Sequence, residues 1–451
     1  MAQSENGVRL MPSTTRLVAL GFATVILIGA LLLTLPISSS TGESVGFPDA
    51  LFTSTSAVCV TGLVVRDTGT EFSTFGHVVI ILLIQIGGLG FMAAATIFFM
   101  LLGKRISLGT RLMLQESLNE DRIGGLVRLM RWVIFSAFTI EGIGALLLAT
   151  RFVPILGLGK GLWYSVFHAI SAFCNAGFDI LGNYRSLIDF RFDPIINFTV
   201  MALIVIGGLG FSVLQDVRAS RSFRKFRLHT KLVLTSTAIL IFGGALFFLI
   251  VEWSNPTTLG PMNPFQKAMA ALFQSVTLRT AGFNTIDQVT LHPASKFLSV
   301  IWMFIGASPA STGGGIKTST VAVLFLTVRM VAKGRSEPTA FGRTIPKGTP
   351  GRALAIAFIG LGVLLTEIMA LQLLHPEKHI LDLMFEVASA LGTVGVSSVV
   401  TNTLGQPARL FLILAMYTGR VGPLTLTLAL GRRQAAAADI IHYPEDRTLV
   451  G

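Results

Sequence analysis

Four short strings decide how this chain folds: Val58-Cys59-Val60-Thr61-Gly62, Phe173-Cys174-Asn175-Ala176-Gly177, Leu278-Arg279-Thr280-Ala281-Gly282 and Leu391-Gly392-Thr393-Val394-Gly395. Their final glycines are 115, 105 and 113 residues apart. A second glycine follows each one, at Gly87, Gly207, Gly306 and Gly419, after 25, 30, 24 and 24 residues. Two landmarks kept in register four times mark an internal repeat, and a repeat of this length is a supersecondary unit.

Working outward, each string ends a semi-apolar segment: Phe47–Val58, Leu162–Phe173, Pro264–Leu278 and His379–Leu391. Longer apolar runs flank them. The runs before are roughly Leu17–Leu35, Trp132–Thr150, Leu232–Val251 and Leu354–Leu374. The runs after are roughly His77–Leu102, Ile195–Val217, Lys296–Val331 and Leu410–Leu430. About 20 apolar residues span hydrocarbon. The long runs therefore read as crossings and the short segments as re-entrant half-helices, which are tolerated at membrane depth only when protein or a watery cavity surrounds them. Taken singly, each short segment also reads as a buried helix with a glycine C-cap.

Composition agrees with a membrane protein. Of 451 residues, 13% are charged, about half the usual share in soluble domains. The formal charge is +12. The cations gather in the N-terminus (Arg9, Arg16), in the 104–131, 218–231 and 329–352 stretches and in the C-terminal tail. This is the positive-inside pattern, not a nucleic-acid surface, and it predicts both termini in the cytoplasm. The first run is too long for a cleaved signal core, so it reads as a retained span. Cys59 and Cys174 form neither a disulfide framework nor a zinc set. The seven histidines have no ligand spacing.

All four repeats share one polarity. Inverted repeats would alternate the basic side. The expected fold is thus an all-α integral membrane protein of four parallel helix–pore-loop–helix repeats around a central, pseudo-fourfold pore. The repeats divide as 1–103, 104–217, 218–331 and 332–451. Half-helices whose C-termini meet at the axis aim partial negative charge there. Backbone carbonyls at the strings can then replace the hydration shell of a monovalent cation. A secondary carrier with alternating access is the competing reading. No paired carboxylates, metal cluster or nucleophile motif in the spans points to an enzyme.

Repeat three departs from the others at Gly306-Ala307-Ser308-Pro309-Ala310-Ser311-Thr312-Gly313-Gly314-Gly315-Ile316-Lys317. Proline and consecutive glycines cannot continue a helix, and the spacing is not that of a phosphate loop. Arg420 aligns with Gly88, Gly208 and Ala307. An arginine at mid-membrane costs about 2.5–3.5 kcal/mol on insertion scales and needs partners. One reading pairs it with Glu141 or Glu367. The other makes it a gate residue, holding the 306–317 loop below the strings. A packing kink is the plain reading of the loop. Arg279, Asn175 and Asn284 are expected to bond pore-loop carbonyls, and the two cysteines to pack beside the strings. Gly87-Gly88 and Gly207-Gly208 are expected to allow close helix packing.

The chain resembles the Trk/Ktr/HKT superfamily of potassium transporters, in particular its KtrB-type subunits. The residues that carry this are Thr61-Gly-Leu-Val-Val-Arg-Asp-Thr-Gly69, Leu83-Ile-Gln-Ile-Gly-Gly-Leu-Gly-Phe91, Phe167-His-Ala-Ile-Ser-Ala-Phe173, Asn175-Ala-Gly-Phe178 and Arg279-Thr-Ala-Gly-Phe-Asn284. The resemblance implies a selectivity filter at the four strings. Potassium would sit at the carbonyls of Thr61, Ala176, Ala281 and Val394. It implies an intramembrane gating loop at 306–317, a homodimer, and a cytosolic nucleotide-binding ring of KtrA or KtrC type on the cytoplasmic loops. The nucleotide is expected on that partner alone, in a bacterial cell membrane whose lipids are the remaining partner. Sodium-preferring relatives often carry serine at the first filter glycine; Gly62 favours potassium. Sodium dependence is left open. The tail Tyr443–Gly451 resembles the family's C-terminus.

Overall fold

A computed structural model describes residues 14–90, 126–398, 401–423 and 425. Residues 91–102, most of the 104–131 loop and the tail with Arg432, Arg433 and 443–451 lie outside the described residues.

Each repeat opens with a long apolar helix: α1 (Thr14–Thr34), α4 (Leu126–Leu156), α8 (Leu228–Val251) and α12 (Thr349–Leu374). All four are long and apolar enough to cross a membrane. Their outward faces carry exposed Leu20, Phe135, Phe242 and Phe358, side chains that only lipid suits. The short helices follow as α2 (Phe47–Cys59), α5 (Leu158–Phe173), α9 (Pro264–Thr277) and α13 (Ile380–Leu391). At 12 to 16 residues and 1.5 Å per residue they reach about 18–24 Å, short of a roughly 30 Å core. Local chemistry sets their starts. Pro264 follows the Asn263 cap, whose box closes with Gln266. Pro48 and Asp49 open α2, and the His379 ring caps α13. Ser54 Oγ donates to Ile26 O and Ser275 Oγ to Ile241 O, which ties a short helix to its long one in repeats one and three.

The third helices differ from expectation. They were expected to run on as single crossings, with a break in repeat three alone. In repeats one, two and four the helix gives way three residues past its second glycine, and in repeat three it ends just before that glycine. α3 (Thr74–Leu89) ends at Gly90, with φ 85°. α6 (Pro194–Leu209) gives way at Gly210, φ 93°, to α7 (Phe211–Ser220), turned by 95°. α10 (Pro293–Phe304) stops before the 306–317 loop and α11 (Thr318–Ala332) resumes after it. α14 (Gln406–Val421) ends at Gly422, φ 96°. A left-handed residue cannot continue a right-handed helix. A helix end at or near the second glycine is thus common to all four repeats, and described helix resumes after it in repeats two and three, where the third has the longer gap. Beyond α11 a small hairpin, β1 (Thr339–Ala340) and β2 (Arg343–Thr344), leads back to α12.

Candidate ion pathway

The four strings share one backbone shape. The third residue is left-handed in each: Val60 (φ 58°), Asn175 (59°), Thr280 (64°) and Thr393 (52°). The closing glycine is again positive, at 94°, 66°, 86° and 96° for Gly62, Gly177, Gly282 and Gly395. A conformation that costs a non-glycine residue about 1–3 kcal/mol is thus repeated four times. Hydroxyl residues behind the strings hold it. Thr61 N–H donates to Ser56 O (2.8 Å) and Gly62 N–H to Ser56 Oγ (3.0 Å). Val394 N–H and Gly395 N–H meet Ser389 O and Oγ in the same way (2.8 and 3.0 Å). In repeat two Ser171 O accepts from Ala176 N–H (2.7 Å) while Ser171 Oγ donates forward to Phe178 O (2.7 Å). Thr277 Oγ1 donates to Phe283 O (2.6 Å) in repeat three. The sequence reading passed over these four hydroxyls. Their recurrence five or six places before each glycine was the available signal.

The glycines meet their neighbours in cyclic order. A Cβ on Gly177 would lie 2.6 Å from Ala281 O, and one on Gly282 2.7 Å from Val394 O. On Gly62 it would strike Ala176 O, and on Gly395 Thr61 O. Repeat one therefore abuts two, two abuts three, three abuts four, and four abuts one. The carbonyls involved belong to the residue before each glycine: Thr61, Ala176, Ala281 and Val394. All four glycines line the floor of one vestibule of about 220 Å³, with Asp179, Asn284 and Asp287 on its wall. Desolvation, joined by the neighbouring Asp67, pushes the Asp179 carboxyl up to about 7 against the N–H groups of Leu181 and Gly182. It is therefore charged above neutral pH and neutral below.

Behind the strings, the second glycines allow close approach. A Cβ on Gly87, Gly207 or Gly419 would strike the carbonyl of Val58, Phe173 or Leu391, the first residue of its own string. Gly306 breaks the rule and faces Gly314 instead. The 306–317 loop folds on itself through Gly306 N–H to Ile316 O (2.8 Å) and Ala307 N–H to Gly314 O (3.2 Å). It then bridges other repeats. Ser308 and Thr312 N–H donate to Gly208 O and Gly207 O (3.1 and 3.2 Å), and Phe211 N–H donates to Ala310 O (2.9 Å). Thr312 Oγ1 donates to Phe173 O (3.1 Å), and Gly314 N–H to Thr393 Oγ1 (3.1 Å). The loop thus lies directly against the strings of repeats two and four.

Arg420 reaches the same loop. Its guanidinium donates to Thr312 O on one arm and to Gly87 O and Gly88 O (3.3 Å) on the other. The reading that paired Arg420 with a carboxylate is not met: Glu141 accepts instead from Gln85 Nε2 (3.0 and 3.2 Å), and neither Glu367 oxygen has a partner among the described residues. Lys317 caps nothing with its side chain but turns back to Gly313 O and Gly314 O (2.8 and 3.3 Å).

Two of three lesser expectations are corrected. Arg279 donates to Thr237 Oγ1 (3.3 Å), not to a string carbonyl. Asn284 Oδ1 has no partner among the described residues. Asn175 alone behaves as expected. With its nitrogen turned to Ala172 O (3.3 Å) and Ile204 O (3.1 Å), its oxygen accepts from Thr280 Oγ1 (3.2 Å), which joins strings two and three. Both cysteines are buried beside the strings, Cys174 Sγ lying 3.6 Å from Gln85 Oε1.

Residues 10–436 match the TrkH family model, described as a cation transport protein. The chain belongs to the TrkH family. Like other TrkH-family members it is a multi-pass cation transporter and not an enzyme. Among its relatives are the potassium/sodium uptake protein NtpJ of Enterococcus hirae, 40% identical over 98% of both chains, and the Ktr system potassium uptake protein B of Bacillus subtilis, 41% identical over 97% of this chain and 96% of that one. The TrkH fold itself is shared with the crystal structure of the potassium transporter TrkH from Vibrio parahaemolyticus. The TM-score is 0.74 at 17% identity, covering 95% of this chain and 87% of that one.

Proposed function

We propose that this chain takes up potassium across a bacterial cell membrane through a filter formed by Val58–Gly62, Phe173–Gly177, Leu278–Gly282 and Leu391–Gly395. The observation that carries this reading is the closed ring in which each filter glycine abuts the carbonyl before the next one. Carbonyls of Thr61, Ala176, Ala281 and Val394 coordinate the ion in place of water. The C-terminal ends of α2, α5, α9 and α13 add negative potential at the same place. The names of the relatives support potassium as cargo, and that of NtpJ supports a part for sodium as well.

The loop Gly306–Lys317 and Arg420 form the gate, because the loop crosses directly behind two filter strings and Arg420 fastens it to repeat one. The repeats divide near 103, 217 and 331, with the basic linkers and both termini in the cytoplasm. Relatives named as parts of a Ktr system support a second, regulatory subunit. A nucleotide-binding ring docked on the basic loops of a homodimer is the arrangement proposed.

Growth of a potassium-uptake-deficient bacterium at low potassium tests the filter. The parent chain restores growth. Gly62→Ser and Gly282→Ser, whose new side chains would push into Ala176 O and Val394 O, reduce potassium uptake roughly tenfold, a loss of about 1.4 kcal/mol, because the carbonyls they displace are those that replace the ion's hydration shell. Equal growth of all three strains at equal expression removes the filter assignment.

A further inference from the structure

Two adjoining cavities lie beside α11 on the side proposed above as cytoplasmic. One, of about 440 Å³, is apolar and runs between α8 and α11 past Leu232, Ile239, Val321, Ala322 and Phe325. The other, of about 500 Å³, is basic. Arg329, Lys333, Arg335 and Arg343 face it, against the single acid Glu337. Leu326, Arg329 and the hairpin residues Thr339, Ala340 and Phe341 line both, so the two are continuous.

Among the described residues none of the four cations enters an ion pair. Among the described residues the Arg335 side chain makes only a long bond to Thr339 Oγ1 (3.4 Å). Four gathered cations repel one another unless an anion joins them. Their depth matters too. Twelve residues of α10 lead inward to the loop, about 18 Å at 1.5 Å per residue, which puts Thr318 near mid-membrane. Arg329 stands eleven residues further along α11, about 16 Å, where a roughly 30 Å hydrocarbon core ends. The apolar groove is therefore at acyl-chain depth and the basic cavity at headgroup depth. Phe325, Val328 and Val331 are each about two-thirds exposed along this flank, so the groove opens towards lipid.

We propose that the two cavities form one binding site for an anionic phospholipid. Its phosphate is gripped by Arg329, Lys333 and Arg343, and one acyl chain lies between α8 and α11. Guanidinium forks match phosphate oxygens. A zwitterionic headgroup would bring a further cation into a cavity that already holds four. Because α11 leaves the 306–317 loop without a linker, the bound lipid clamps the half-helix below that loop. The assignment rests on the topology proposed above, which turns the hairpin to the inner leaflet.

Native mass spectrometry of the delipidated, detergent-solubilised full chain tests this with phosphatidylglycerol and phosphatidylcholine as probes. Wild type retains phosphatidylglycerol roughly tenfold over phosphatidylcholine. The triple variant Arg329→Gln, Lys333→Gln, Arg343→Gln brings the two lipids level. Ala322→Trp, which fills the groove and leaves the cations alone, also weakens phosphatidylglycerol. Both variants keep the wild-type thermal midpoint within a few degrees. Equal retention of the two lipids by wild type overturns the proposal, as does phosphatidylglycerol retention unmoved by either variant. Glycerophosphoglycerol displacing the lipid at equal concentration would make this a site for a free anion without a chain. Cross-linking of Phe325→Cys to a second copy would make the groove a protein interface. Both results overturn it. Failure of potassium uptake by wild type would instead strike at the proposed cargo and leave the lipid result standing.

Discussion

Arg420 finds its partners in backbone carbonyls, and that shapes what its removal does. A charged donor to a carbonyl contributes about 1.5–3 kcal/mol, and Arg420 makes such bonds to Thr312, Gly87 and Gly88. No carboxylate is left unpaired when it goes, so the fold survives its loss. Arg420→Ala should therefore release the loop and raise potassium uptake several-fold at unchanged expression. Arg420→Lys, with a point charge that cannot fork, should fall between. Wild-type uptake in a well-folded Arg420→Ala protein would end the gate assignment. Asp179 offers a second test at this scale. Its carboxyl, raised to about 7, lines the vestibule with Asp287. An acid whose pKa is raised is neutral below that value and charged above it. A charged carboxylate concentrates cations at the mouth. Uptake should then fall by roughly half or more as external pH drops from 8 to 6, and Asp179→Asn should flatten that dependence. A profile identical in the two proteins would show that Asp179 does not steer ions.

At the scale of elements, the short helices were nearly all legible. α2, α5, α9 and α13 begin and end within four residues of the sequence reading, because proline, asparagine and glycine punctuate both ends. The ends of the third helices were not. Ile86-Gly-Gly-Leu-Gly-Phe91 is apolar throughout, and hydropathy does not register a change of φ at Gly90. The same blindness hid the 95° turn at Gly210. Two of the three glycines in that string serve close packing while the third reverses the backbone, and nothing in residue type separates the roles. Arg420's partners were illegible for a related reason, since a carbonyl carries no sequence identity. Gly210 makes the distinction measurable. A side chain there adopts a conformation costing about 1–3 kcal/mol and strikes Pro309 O of the loop. Gly210→Ala should lower the thermal midpoint of the solubilised protein by several degrees, whereas Gly243→Ala, on the open side of α8 with nothing near, should change it little. Equal midpoints would mean that the α6–α7 turn does not depend on the glycine.

At the scale of the whole molecule, four repeats in one chain must close a ring, and the first and last have no linker between them. Asp49, in the first turn of α2, supplies the joint. It accepts from Arg409 at the start of α14 (2.8 Å) and from Arg66 of its own repeat (2.7 Å). Arg409 also gathers Leu404 O (3.0 Å) and Asn402 O (2.7 Å), so one side chain fastens the segment before α14 to the start of α2. The two arginines are not equivalent. The Arg409 side chain is 19% exposed and that of Arg66 42%. Exposed pairs contribute about 0–1 kcal/mol, and a shielded charged donor about 1.5–3 kcal/mol per bond. Arg409→Met should therefore lower the thermal midpoint by several degrees more than Arg66→Met. Since a loosened joint lies on the seam where Gly395 meets Thr61 O, it should also reduce the preference for potassium over sodium in competitive uptake. Arg66→Met should leave that ratio unchanged. Equal effects of the two substitutions on midpoint and ratio would mean that the ring is closed by packing at the glycines and that the Asp49 joint is incidental to it.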